Sequence, residues 1–338
     1  MNSLRAQAGL SIIELMIAST VGLIGIAAVG GVYLSSSRNY KQDQSLALLG
    51  SELSYAMASL TRDLEMAGYW APARDPAVIQ LLATLSGTDC GTSTVATPGW
   101  TFQDLTPIAV DDNVTASAAH TNHPCLGTAD VMPGSDILAV KRVHGTADGS
   151  DTATAGLVSG RIYLRTHFNQ GALYNYGSAG PTFATPYQEW EYRPSIYFVQ
   201  PYSVTATESP LIPSLCRMTL QTAAGGTAPS YVKQCIAQGV ENLQVEIGVD
   251  TDGDGAADYF VSNPNATEMS QAIAARIYLL ARSATTDPNH VDPRTYQIGN
   301  MDAGLGTPTG SGAHYYRKTV SSEVVLRNPR SLRGLAYQ

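Results

Sequence analysis

From Leu10 to Leu34 the chain is apolar, and it carries one charge, the carboxylate of Glu14 near its start. A bilayer-spanning helix needs roughly 20 residues, so this run suffices. It exceeds the apolar core of an ordinary secretory signal, about 7–15 residues. Residues 1–9 before it are polar, with Arg5 the one charged side chain. Ser35, Ser36 and Ser37 make a weak small-residue cleavage site, and without cleavage the segment would be a simple signal anchor. Glu14 speaks against a mere anchor. A charge at a helix centre in a membrane costs about 2.5–3.5 kcal/mol on insertion scales, so an intramembrane acid implies a task.

The stretch Gly9, Leu10, Ser11, Ile12, Ile13, Glu14, Leu15 resembles the class III signal of type IV pilins and type II secretion pseudopilins. That resemblance implies cleavage between Gly9 and Leu10 by a prepilin peptidase on the cytoplasmic side of the inner membrane. It implies N-methylation of Leu10, where major pilins usually begin with Phe. It also implies that Glu14 pairs with an N-terminal amine during filament assembly. Breaking a buried ion pair from one side costs about 3–5 kcal/mol, enough to set subunit register.

The helical pattern continues past the apolar run. Leu46, Leu49, Leu53, Met57, Leu60 and Leu64 recur every three or four residues, with Glu52, Ser59, Arg62 and Asp63 between them. Gly68 is a stop signal, and Pro72 and Pro76 prevent continuation. One helix over residues 10–67 would be roughly 87 Å long at 1.5 Å per residue. Gly30 and Gly31 weaken it by about 1 kcal/mol each against Ala. They are either ordinary membrane-helix glycines or a segment that unwinds in the filament. The expected organisation is a leader (1–9), a transmembrane or filament-core helix (10–34), its amphipathic continuation (35–68) and a β-rich globular domain (69–338).

Charged residues make up only 14%, against about 25% in soluble domains. Tyr (18) outnumbers Phe (5), which suits β-structure with polar loops. The net charge of −8 leaves no basic footprint for nucleic acid. Strands are expected over 136–143, 161–165, 195–199, 215–220, 240–249, 274–282 and 319–326, most of them separated by turn-rich spacers, hence an antiparallel sheet. Residues 144–156 and 300–313 read as surface loops. The expected fold class is α+β, pilin-like, with the long N-terminal helix packed on that sheet.

Cys90, Cys125, Cys216 and Cys235 form no CxxC pair. In an exported chain they suggest two disulfides, with three possible connectivities. Cys90–Cys125 and Cys216–Cys235 close the shortest loops and are the expected pairs. His120, His123 and Cys125 lie close in sequence but lack a fourth metal ligand, so the histidines read as surface residues.

Residues 250–258 fit D-x-D-x-D-G-x-x-D. Side chains of Asp250, Asp252 and Asp254 can converge when the loop curls, with the carbonyl of Ala256 and the carboxylate of Asp258 completing an oxygen shell for structural calcium. Val261 stands where an EF-hand has its bidentate Glu, so this is a different calcium loop. The alternative is an acidic β-turn.

Residues 60–69, 239–244, 275–280 and 325–328 resemble the PilW-type minor pilins specifically. That resemblance implies a minor pilin near the pilus tip, promoting assembly with other minor and major pilins. The globular domain would be periplasmic before assembly and at the cell surface after it. Other readings are a type II secretion minor pseudopilin, a membrane-anchored binding module, and a periplasmic enzyme. No GxSxG, HExxH, P-loop or paired-acid pattern supports an enzyme.

Overall fold

The computed structural model describes residues 11–73, 75–86, 89–90, 99–102, 106–115, 123, 125–127, 130–302 and 306–328. The chain divides into two units, Met1–Leu48 and Leu49–Gln338.

Helix α1 runs from Ile12 to Glu65 and passes unbroken through Gly30 and Gly31. Up to Leu48 none of its residues is buried, and it is long and apolar enough to cross a membrane. Within the second unit the same helix buries Leu49, Leu53, Ala56, Leu60 and Leu64, the stripe that the leucine spacing predicts, while Met57 is half-buried. Gly68 adopts a left-handed φ of 71°, which costs little without a Cβ. Its N–H donates to the Lys141 carbonyl at 2.9 Å, and Asn328 Nδ2 donates to the Ala67 carbonyl at 3.1 Å. The end of the helix is therefore capped from two segments distant in sequence.

The strands follow as β1 (Ile79–Leu81), β2 (Ile108–Asp111), β3 (Ile137–Val140), β4 (Gly149–Ser150), β5 (Ile162–His167), β6 (Gln170–Asn175), β7 (Gln188–Glu191), β8 (Ser195–Gln200), β9 (Ser214–Gln221), β10 (Ser230–Gln238), β11 (Val240–Val249) and β12 (Tyr259–Val261). The short helix α2 (Ala266–Ser270), β13 (Ala272–Arg282) and β14 (Arg317–Val325) complete the order. They form three sheets, β1-β6-β5-β7-β4, β10-β9-β8-β3-β2 and β12-β11-β13-β14. All pairings are antiparallel except β1 with β6. The fold is thus α+β with antiparallel sheets.

The middle sheet is covered on both faces, and its alternation shows it. Leu138, Val140, Tyr197 and Val199 enter the core shared with α1, β11 and β13, whereas Ile137, Ala139, Ile196 and Phe198 enter a second core with Cys90, Trp100 and Cys216. A third core, around Trp70, Leu164, Leu173 and Trp190, backs the first sheet. That sheet's opposite face carries Arg165, Tyr174 and Glu189.

Asp63, which falls between the leucines of the stripe, is itself buried: it is 4% exposed, and it accepts from Arg142 Nε (3.0 Å), Arg142 Nη2 (2.7 Å) and Tyr197 Oη (2.6 Å). Those partners, far away in sequence, make its burial tolerable. One reading from the sequence needs correction: His123 is not a surface residue. It is fully buried, with Nδ1 2.9 Å from Asp111 Oδ2. His120 lies outside the described residues.

Candidate functional site

Two features carry candidate chemistry, the acid in the apolar helix and the loop between β11 and β12. Gly9 and Leu10, the expected cleavage pair, lie outside the described residues. Glu14 occupies the first turn of α1 and is exposed, as are Ile12, Ile13, Leu15 and Met16 around it. Among the described residues it has no ion-pair or hydrogen-bond partner. A carboxylate in the first turn does gain from the helix dipole, by about 0.3–1 kcal/mol. That is less than the cost of placing it in hydrocarbon.

The β11–β12 connection is a hairpin closed by Val249 opposite Tyr259. Gly253 and Gly255 turn it with φ of 80° and 92°, values that favour glycine. The tight curl brings one carboxylate oxygen each of Asp250, Asp252 and Asp254 within 4.8 Å of one another. Two oxygens on one calcium lie at most about twice the 2.3–2.6 Å bond length apart, so this spacing fits that ion. Asp250 is 4% exposed, whereas Asp252 and Asp254 face solvent.

The acids also organise their own loop. Asp250 Oδ1 accepts from Gly253 N at 2.7 Å and Oδ2 from Gly255 N at 3.2 Å. Asp252 accepts from Asp254 N at 3.1 Å, and Asp254 from Ala256 N at 2.7 Å. The turn therefore has an internal frame that relieves part of the carboxylate repulsion. Asp258 stands apart from the cluster of three. Its Oδ2 accepts from the Thr251 hydroxyl and from Thr251 N at 2.7 Å, and these bonds hold its pKa below the ordinary carboxylate value. The structure thus joins three of the four expected acids, and the fourth serves the loop's other strand.

Both expected disulfides form, Cys90–Cys125 and Cys216–Cys235, with no free cysteine among the described residues. Cys216 and Cys235 are direct cross-strand partners on β9 and β10. With Cys125 oxidised and His123 engaged by Asp111, that cysteine and histidine do not make a metal site.

No spacing in the sequence announces a third cluster. Arg165, Tyr174 and Glu189 meet on the outer face of the first sheet, where Tyr174 Oη and Arg165 Nε both donate to Glu189 Oε1, at 2.8 and 2.7 Å. Burial raises the Glu189 pKa despite the bonds from Arg165 and Tyr174, which lower it. Tyr174 is raised above its ordinary value, first by burial and then by Glu189.

The family model for Type IV Pilus-assembly protein W matches residues 196–328, from β8 through β14. The resemblance drawn from the sequence is to the same family. No curated protein matches the chain. Among solved structures, a type IV-like pilin from Thermus thermophilus aligns with 14% identity over 83% of this chain and 98% of its own, at a TM-score of 0.35.

Proposed function

We propose that this PilW-type, pilin-like chain is a minor pilin of a type IV pilus, incorporated near the tip and promoting assembly with other minor and major pilins. The observation that carries the reading is Glu14, exposed in an apolar helix with no partner among the described residues. A charge in that setting is stabilised when a cation from another subunit reaches it, and a processed N-terminal amine is such a cation. The family match over residues 196–328 supports the pilus over an unrelated anchor. On this reading residues 1–9 are removed between Gly9 and Leu10, residues 10–34 lie in the inner membrane and then the filament core, residues 35–68 continue the helix, and residues 69–338 are periplasmic and then surface-exposed. The role is structural rather than enzymatic. The β11–β12 loop holds one structural calcium through Asp250, Asp252 and Asp254, with Ala256 and Asp258 completing the shell after the loop adjusts.

The test is complementation of a gene-deletion strain. Wild type restores surface pili, and Glu14→Ala inserts in the membrane but does not restore them. Mass spectrometry of the wild-type protein finds Leu10 N-methylated at the terminus. Equal pilus counts with both genes, or an intact Met1, would overturn the reading. Loss of secreted proteins with normal pili would place the chain in a type II secretion system instead.

A further inference from the structure

Residues 177–187 partly roof the outer face of the sheet β1-β6-β5-β7-β4 and leave a shallow, open cleft of about 590 Å³. That size is within the usual range for small-molecule sites, about 300–1,000 Å³. The wall from Tyr176 to Tyr187 contains no charged side chain. The cleft presents the half-exposed rings of Tyr176, Phe183 and Tyr187. Its one charge is Arg165, whose guanidinium carbon lies 4.8 Å from the centre of the Tyr174 ring and 4.4 Å from that of Tyr187.

Arg165 is fixed from three sides. Nε donates to Glu189 Oε1 at 2.7 Å, Nη1 to the Pro181 carbonyl at 2.6 Å and Nη2 to Tyr174 Oη at 2.9 Å. A guanidinium has five N–H groups, so among the described residues one on each Nη remains unspent. Glu189 is 1% exposed, and its Oε2 accepts no hydrogen bond although it is buried. Gly180 lets the roof come close: a Cβ there would lie 2.9 Å from Tyr174 Cε2. The result is a rigid donor fork with matched charge beside a set of aromatic faces.

We propose that this cleft binds an uncharged saccharide. A sugar ring has an apolar C–H face that stacks on Tyr and Phe rings, and a rim of hydroxyls that each donate and accept. The two spare N–H groups of Arg165 can meet two neighbouring hydroxyls at once, as a rigid fork permits. An anionic ligand is disfavoured because Glu189 already balances Arg165. A proline-rich peptide would stack on the aromatic faces and offer carbonyls to the spare N–H groups, but it brings few donors, whereas each sugar hydroxyl both donates and accepts. This inference stands apart from the pilus reading, since it needs only the globular unit's surface.

The experiment is saturation-transfer NMR on the full chain in a detergent without a sugar headgroup. The probes are lactose, cellobiose and chitobiose, with sialyllactose and a PxxP peptide as competing chemistries. At least one neutral disaccharide is expected to receive saturation on its ring protons. Tyr187→Ala and Tyr176→Ala should weaken that binding about tenfold, the size of a modest binding hot spot. Tyr187→Phe should retain most of it. Circular dichroism checks that each variant is folded, and the side chains chosen lie at the rim rather than at the buried Glu189. Binding of none of the neutral sugars, binding of sialyllactose or the peptide alone, or sugar binding unchanged in both alanine variants would overturn the proposal.

Discussion

The two parts of α1 each hold an acid within an apolar pattern, and they treat it in opposite ways. Before Leu48 the helix has no buried residue, and Glu14 stands exposed without a partner among the described residues. After Leu49 the helix is a core element, and Asp63 is enclosed with Arg142 and Tyr197 at hydrogen-bond distance. The second part satisfies its charge within the fold. The first part leaves its charge unmatched among the described residues. One helix is thus a core element over one length and an exposed apolar rod over another, and the treatment of the carboxylate marks the change.

Removing Asp63 gives the largest expected effect on stability. Asp63→Ala leaves the Arg142 guanidinium, 12% exposed, without its carboxylate. Unfolding by denaturant should show a loss of about 3–5 kcal/mol. If the loss is under about 1 kcal/mol, the contrast between the two acids is not energetic. Glu14→Ala, by comparison, should leave the denaturant midpoint of the globular unit unchanged.

Next in size is the metal. Calcium that binds only the folded state stabilises by about 2.7 kcal/mol at a hundredfold excess over Kd. Thermal melting of the full chain in detergent should therefore shift down on chelation, respond weakly to magnesium, and lose its calcium sensitivity in Asp252→Ala plus Asp254→Ala. Identical curves under all three conditions would leave the loop as a self-supporting acidic turn.

Asp136 sharpens the comparison from a third side, because it is fully buried and, among the described residues, its carboxylate accepts only from the backbone N–H groups of Asn113 (2.9 Å) and Val245 (2.7 Å). Burial pushes its pKa up to about 7, with Asp112 and Glu246 adding to the rise. The unfolded value is about 3.9. The folded state therefore binds the proton more tightly, and this contribution to stability is fully present below about pH 4 and lost as pH rises through about 7. The slope is at most about 1.4 kcal/mol per pH unit. Stability should fall between about pH 4 and pH 7 in the wild type and level off above it, and Asp136→Asn should flatten the fall. An unchanged profile would assign the slope to other groups.

Tyr197→Phe makes the smallest change. It removes one donor to Asp63 and keeps both bonds from Arg142. The expected cost is about 1 kcal/mol, read from the denaturant midpoint. A cost equal to that of Asp63→Ala would mean that the tyrosine, not the ion pair, holds the acid.

Periodicity was legible where one element faces one core. The leucine stripe located the packed part of α1, and Gly68 located its end, to within two residues of Glu65. Residues 240–249 were read as a strand with the bounds that β11 has, because Leu243, Val245 and Ile247 alternate toward the core. β6, β7 and β10 were not read. β6 starts Gln-Gly and ends in Asn, β7 is two glutamates around a tryptophan, and β10 is an edge strand with Ala237 its one buried residue. Their pairing comes from neighbours rather than from their own composition. Of the candidate sites, the D-x-D-x-D spacing placed three acids together because the loop is local. Asp63 with Arg142, and Arg165 with Glu189, depend on partners 79 and 24 residues away, which no spacing rule connects.

The Cys216–Cys235 bridge joins β9 to the edge strand β10 as a covalent rung between facing residues. The hairpin tip beyond it, with Ala223, Ala224, Gly225 and Thr227 exposed, is the kind of loop that proteases cut first. A single cut there does not release a fragment, because the two new ends stay tied through the sulfurs and the strands keep their register. The nicked chain would run as one species on a non-reducing gel and as two after reduction. The bridge makes damage at the tip survivable for as long as the surroundings stay oxidising.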